Sequence, residues 1–185
     1  MIIDRNIAIM YQKSQIKPGA IIGVAGVEGW ETFTLPMLNL FMLSSGFTVV
    51  DQAIFYAQGP GEILLNDSAM ERARKLGFNL YQAASKPNEK WGYLGEPGQC
   101  PNCHQNLFII KNGKVECALC QTKAEVEKAN GTIKLSFNPE NLKENRWSDK
   151  ALQENLFSAV LSSGPRFLEE KAQIEKRAQK YLVLK

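Results

Sequence analysis

Hydrophobic positions change their rhythm several times along this chain. In "GAIIGVAG" (residues 19–26) apolar residues run almost without interruption to a glycine, the pattern of a strand buried on both faces. "EGWETFTLPMLNLFMLSSG" then spaces its apolar residues for a helix, with Glu31 and Thr32 near its start and Gly46 at its stop. Pro36 places the regular helix close to itself, because proline is tolerated in a first turn and not deeper. "FTVVDQAIFYA", rich in β-branched and aromatic residues, predicts a second strand. After the loop "QGPGEILLND" a helix is expected to open at Ser68, with Glu71 three residues on as a capping box, and to run to about Ala84. Strand, helix, strand, helix predicts a parallel α/β sheet. Two strands are too few for such a sheet, which needs both faces covered.

The texture changes after "SKPNEKWGYLGEPGQ" (85–99), which has two prolines and three glycines and reads as a linker. All four cysteines follow as two knuckles, Cys100-x2-Cys103 and Cys117-x2-Cys120, thirteen residues apart. Four thiolates from two tight turns suit a tetrahedral all-sulfur site for Zn²⁺, with a single iron as the alternative. His104 follows Cys103 and is expected beside the site, since four sulfurs already complete it. "LFIIKNGKVEC" and "AEVEKANGTIKLSF" each predict a hairpin, with Asn112-Gly113 and Asn130-Gly131 at the tips. Hairpins clamped by knuckles make a zinc ribbon or rubredoxin-like module, where metal substitutes for a core too small to stand alone. From 139 the pattern is helical and charged. "NPENLKENRWSDKALQENLFSAVLSSG" predicts one helix capped by Ser148 or Asp149. A second is expected from about Arg166, with Phe167, Ile174, Ala178 and Tyr181 along one face that would dock on the body or a second subunit. The expected organisation is therefore an α/β domain at 1–90, a four-cysteine ribbon at 95–138 and a helical tail at 139–185.

Charge and composition narrow the function. The net charge is +3, and residues 100–137 carry five lysines against three glutamates. A zinc tetrathiolate adds a net −2 and leaves that module neutral, which argues against nucleic acid as a partner. No apolar run approaches the roughly 18 residues that span a bilayer, so no membrane partner is expected. "MIIDRNIAIMYQ" has no cleavable signal pattern. A cytoplasmic location is expected, where thiols stay reduced and metal is favoured over disulfides.

Several stretches together carry a resemblance: "IDR" at 3–5, the glycine-bearing turn after "AIIGVAG", "AQGPGE" at 57–62, and the "CPNC…CALC" module, in that order. Over residues 3 to 137 the chain resembles the C-terminal half of flavodoxin-like NAD(P)H-dependent FMN reductases, and most closely their relatives with an appended four-cysteine module. The resemblance implies an incomplete flavodoxin-like parallel sheet plus a small β ribbon and a helical tail. It implies an FMN-dependent oxidoreductase passing electrons from NAD(P)H to an acceptor, with no catalytic side chain standing out because the flavin does the redox work. The strand and the serine/threonine-rich loop that cradle the FMN phosphate in that family have no counterpart here. The chain is therefore expected to be a truncated or split form, completed by a homo-oligomer or by a partner chain that brings the missing half. In the family the loop after this first strand lies beside the flavin ring, which implicates Ala25, Gly26, Val27, Glu28, Gly29 and Trp30. The alternative expectation is a non-enzymatic, metal-stabilised interaction module.

Overall fold

The structure is a computed structural model that describes residues 17–86, 91–129 and 131–182. Ile3–Arg5 and Asn130, on which parts of the sequence reading rest, lie outside the described residues. The described chain divides into two compact units, with the boundary after Arg146.

The first unit holds two sheets. β1 (Lys17–Ala25) and β2 (Phe47–Tyr56) form a parallel pair whose register brings Ala25 opposite Tyr56. Residues 50–53 of β2 are buried in succession, as in a strand covered on both faces, and two of them, Asp51 and Gln52, are polar and buried with hydrogen-bond partners. Between the strands lies α1 (Thr34–Ser44). It begins two residues before Pro36, so the proline sits in the first turn, where its missing N–H leaves no gap. It ends at Gly46, which takes φ 77°, a left-handed conformation that a Cβ would disfavour. A Cβ on Gly23 would strike Ile54 and Thr34, so the glycine allows α1 to lie close over the sheet.

α2 (Asp67–Ala84) covers the opposite face, packing Ala69 and Leu76 against Ala53 and Phe55. Its cap differs from the expected Ser68 box. Asn66 is the capping residue, accepting from the Ala69 N–H at 3.1 Å, while the Ser68 hydroxyl donates to the Asn66 side chain at 2.8 Å. Asn66 wins because its extended backbone aims a carbonyl oxygen at the free amides of the first turn. The chain beyond α2 returns along β2. The Leu94 N–H donates to the Val50 carbonyl at 2.8 Å, and Asn79 on α2 donates to the Leu94 carbonyl at 3.2 Å. The segment that reads as a linker thus packs against the sheet over residues 91–95, and no described strand pairs with the outer edge of β1.

Four antiparallel strands form the second sheet, in the order β3 (Phe108–Lys111), β4 (Lys114–Cys117), β5 (Lys123–Ala129) and β6 (Thr132–Ser136). Lys111 pairs with Lys114 across Asn112-Gly113, both residues at positive φ, as the expected two-residue turn requires. Ala129 pairs with Thr132 across the second tip, where Gly131 has φ 78°. The short helix α3 (Pro139–Lys143) follows, and its Leu142 carbonyl accepts from Asn102 at 3.0 Å.

The second unit comprises α4 (Asp149–Asn155), a π-helical stretch (Leu156–Leu161) and α5 (Ser163–Leu182). The helix expected to be capped by Ser148 or Asp149 is capped by Ser148, which accepts from the Ala151 N–H at 3.3 Å, and the short α3 precedes it as a separate element. None of these elements contains a buried residue, and the stripe of Phe167, Ile174 and Tyr181 on α5 is exposed.

One buried ion pair stabilises the α2 face. Asp51 on β2 is fully buried and accepts two hydrogen bonds from the Arg72 guanidinium and a third from Asn79 at 2.7 Å. The hydrogen bonds to Asp51 hold the Arg72 pKa above its ordinary value. Removing one partner of a buried pair leaves an uncompensated charge, which costs about 3–5 kcal/mol. Because Arg72 keeps some solvent access, Arg72→Ala is expected to lower the unfolding free energy by about 2–4 kcal/mol in a urea titration. A change below about 1 kcal/mol would show that Asp51 finds other partners.

Candidate functional site

The two cysteine knuckles repeat one local geometry. In the first, the Cys100 N–H donates to the Gln105 carbonyl at 3.0 Å and the His104 N–H to the Cys100 carbonyl at 2.8 Å. In the second, Cys117 N–H donates to the Thr122 carbonyl at 2.9 Å and Gln121 N–H to the Cys117 carbonyl at 2.9 Å. Each turn closes through one non-glycine residue in left-handed conformation, His104 at φ 57° and Gln121 at φ 62°. That strain is of the kind stored where a backbone must aim ligands. Gly98 makes room for the first turn, since a Cβ there would collide with the His104 carbonyl.

These turns bring the four sulfurs within 4.8 Å of one another, all on buried residues. Cys100 and Cys120 lie 3.4 Å apart, and Cys103 and Cys117 lie 3.5 Å apart. A disulfide would need about 2.05 Å. A tetrahedron with metal–sulfur bonds of about 2.3 Å has edges near 3.8 Å, so the site fits a four-coordinate metal ion with modest opening. Hydrogen bonds from Cys103, Cys117 and Cys120 pull the Cys100 thiol well below its ordinary pKa, while Cys103, bonded first to Cys100, is pushed far up. Cys117 is also lowered and Cys120 raised, so the cluster favours two thiolates and resists the other two. A bound cation removes that resistance, and binding releases protons. Four protein sulfurs would leave a four-coordinate ion no open position.

The knuckles are coupled to the parallel sheet through side-chain amides. Gln52 Oε1 accepts from Asn39 at 3.0 Å and from Gln105 at 2.8 Å, while Gln52 Nε2 donates to the His104 carbonyl at 2.8 Å. Asn39 also donates to the Cys103 carbonyl at 3.4 Å. All three amide residues are buried. The two carbonyls belong to Cys103 of the four-sulfur cluster and to its neighbour, so the position of β2 and the shape of the first knuckle are set together.

The residues singled out beside the first strand lie at the carboxyl ends of β1 and β2. Ala25 is the last residue of β1, and its carbonyl accepts from the Ala57 N–H at 2.9 Å. Gly26, Val27, Glu28, Gly29 and Trp30 form the exposed turn that follows, with Gly29 at φ 89° and Trp30 88% exposed. The next loop, 57–62, has its Gln58 and Gly59 amides bound by the Glu62 carboxylate at 2.8 and 2.7 Å. Its own side chain therefore fills the anion position that those amides create.

Two residues missed by sequence reasoning stand beside this turn. Tyr56, at the end of β2, donates to Glu31 Oε1 at 2.8 Å. The Glu31 pKa is lowered, first by its own backbone N–H and then by Tyr56; the same bond raises Tyr56 to about 12. They border a cavity of about 360 Å³ that reaches Leu35 on α1, Ile54 on β2, and His104 and Leu107 by the first knuckle. The His104 ring stacks on Tyr93 at 3.7 Å between centroids. The signal was present in part, since a parallel register places the last residue of β2 beside the end of β1. The contribution of the knuckle, from residues some fifty positions away, had no local signature.

No family model matches the chain. Over 108 residues, 57% of its length, the chain is 39% identical to a flavone synthase of Aspergillus candidus, of which the match covers 33%. A solved flavone reductase shares the fold with a TM-score of 0.73 at 24% identity, across 92% of this chain and 58% of that one. The chain thus spans about a third of the flavone synthase and somewhat over half of the flavone reductase. No helix among the described residues is long and apolar enough to cross a membrane.

Two outcomes follow for the metal centre. Cys117→Ser should abolish stoichiometric metal by elemental analysis, and in the unaltered chain metal should be lost to a chelator as pH falls, because protons compete for the thiolates. Retention of one metal ion per chain in the serine variant would exclude the four-sulfur site. Gln52→Leu leaves buried amide partners unsatisfied and should destabilise the fold by about 2–4 kcal/mol. The same variant should hasten metal release to a chromogenic chelator; an unchanged release rate would show that sheet and knuckle are energetically separate.

Proposed function

We propose that this chain is part of an FMN-dependent oxidoreductase of the NAD(P)H-dependent FMN reductase type, and that its acceptor is a flavone-like aromatic compound. The observation that carries this reading is the open glycine turn Gly26–Trp30 at the carboxyl ends of two parallel strands, in a chain alike over more than half its length to a flavone synthase. Ligands of open α/β sheets bind in that position. Exposed glycine amides suit the edge of a flat heterocycle, because no Cβ holds the ring away. The fit extends to the ring and not to the phosphate, since Glu62 already occupies the loop amides that an anion would seek. FMN, when bound, supplies the hydride chemistry, and Ala25 through Trp30 would position its ring.

On this reading the free edge of β1 receives further parallel strands, which bring the phosphate-binding loop from another segment or from a partner chain. The flavodoxin-like sheet is complete only in that assembly. The four-cysteine centre holds zinc in a structural role, fixing the knuckle against β2. Iron in the same sulfur set is the alternative. The exposed stripe on α5 supplies a surface for association with a second subunit.

A non-enzymatic interaction module is the second reading, and the edge of β1 that no described strand pairs with, together with the 88% exposure of Trp30, favours it. An absorption spectrum and elemental analysis of the chain isolated with its native partners separate the two. A flavin band, one zinc per chain, and about a tenfold loss of flavin affinity in Gly29→Val are expected, the last because a β-branched residue resists φ 89°. A colourless complex with one zinc per chain would leave the interaction module standing. A red, iron-bearing preparation would replace structural zinc by a redox centre.

A further inference from the structure

The two knuckles share a backbone geometry and diverge in one side chain. Gln105 and Thr122 each stand two positions beyond the second cysteine of their knuckle, and the carbonyl of each accepts from the N–H of the first cysteine. The Gln105 side chain turns to the sheet and donates to Gln52. The Thr122 side chain turns to the sulfur cluster, with Oγ1 3.0 Å from Cys120 Sγ. Thr122 is fully buried, where a hydroxyl without a partner would cost free energy.

The neighbours of this contact fix its direction. Asn102 Nδ2 donates to Thr122 Oγ1 at 2.8 Å and to the Leu142 carbonyl of α3 at 3.0 Å. A carbonyl only accepts, so the amide nitrogen of Asn102, and not its oxygen, faces this side. The Thr122 oxygen therefore has one lone pair taken by Asn102, and its proton is free to point at the sulfur. A sulfur that ligates a metal is a thiolate without a proton of its own, so around a bound cation the bond runs from hydroxyl to sulfur.

We propose that Thr122 is a positioning residue of the metal centre, whose hydroxyl, oriented by Asn102, donates to the Cys120 thiolate and keeps that sulfur on the metal. The proposal deepens the metal reading given above and rests on it, independently of flavin. A donor at a thiolate draws charge off the sulfur and fixes its lone-pair direction, as partners behind metal ligands commonly do. Asn102 carries the constraint to α3, and the Arg146 N–H donates to the Cys120 carbonyl at 2.9 Å. The segment that follows the ribbon thus braces this one ligand.

Cobalt(II) bound to the full chain reports the geometry of the site through its d–d bands and the charge on sulfur through its sulfur-to-metal charge-transfer band. Thr122→Val should leave the tetrahedral d–d bands in place and move the charge-transfer band to longer wavelength, because a thiolate without its donor gives up an electron more easily. Thr122→Ser keeps the hydroxyl and should restore the wild-type band. Zinc should pass to a chromogenic chelator about tenfold faster from the valine variant, and at a rate near that of the wild type from the serine variant. A charge-transfer band unmoved in a metal-bearing valine variant, or one that shifts as far in the serine variant, would overturn the proposal and leave Thr122 only filling space. Should Thr122→Val fail to fold, nuclear magnetic resonance of the wild-type chain loaded with isotopically labelled cadmium decides. Scalar coupling from the metal to the Thr122 hydroxyl proton is expected across the Cys120 sulfur, and a freely exchanging or uncoupled proton would overturn the proposal. Failure of the wild-type chain to develop tetrahedral cobalt bands would sink the metal reading and this proposal with it, whereas normal bands without the shift sink only the role of Thr122.

Discussion

The side-chain amide of Gln52 joins the parallel sheet to the first cysteine knuckle, and the geometry of the first unit depends on it. Its oxygen takes two donors, one from α1 and one from the knuckle, and its nitrogen reaches a knuckle carbonyl. A buried amide with both lone pairs filled is stabilising only while every partner stays in place, because each broken bond strands a group in a low-dielectric interior. The arrangement therefore acts as a registry device. β2 cannot slide and the Cys100–Cys103 turn cannot reshape without exposing that cost.

The metal centre and this network support one another. The knuckles close through left-handed His104 and Gln121, conformations that cost energy in an isolated turn. Four convergent sulfurs, which repel one another as thiolates, become favourable only around a cation. A small antiparallel sheet with exposed faces has little core of its own, so the buried amides hold it against the α/β layer. On the other face of β2, Asp51 and Arg72 do comparable work by pinning α2, and Leu94 continues the ladder past the strand.

That construction places the chemistry. The carboxyl end of β2, the segment leading into α1 and the His104 edge of the knuckle meet around one cavity. Glu31 and Tyr56 sit between the turn and the knuckle; the backbone amide of Glu31 and then the Tyr56 hydroxyl lower the carboxyl pKa, and the same hydrogen bond raises the tyrosine's.

Local patterning by itself determined the alternation of β1, α1, β2 and α2, the hairpin at Asn112-Gly113, the stop at Gly46 and the four-sulfur site, because each is written in residues close together in the chain. Periodicity, turn chemistry and cysteine spacing act over a few positions, and their energies do not wait for the rest of the fold. The cap at Asn66 was legible only in part, since Ser68 and Asn66 compete over one turn and the extended backbone before the helix decided between them. The packing of residues 91–95 on β2, the Asp51–Arg72 pair, the Gln52 hub and the Glu31–Tyr56–His104 cavity were decided by tertiary structure alone. Each joins side chains far apart in sequence whose meeting depends on strand register and on how the knuckles settle against the sheet. Asparagine, glutamine and glutamate look the same in a sequence whether they face water or a buried partner, and only the folded chain distinguishes them.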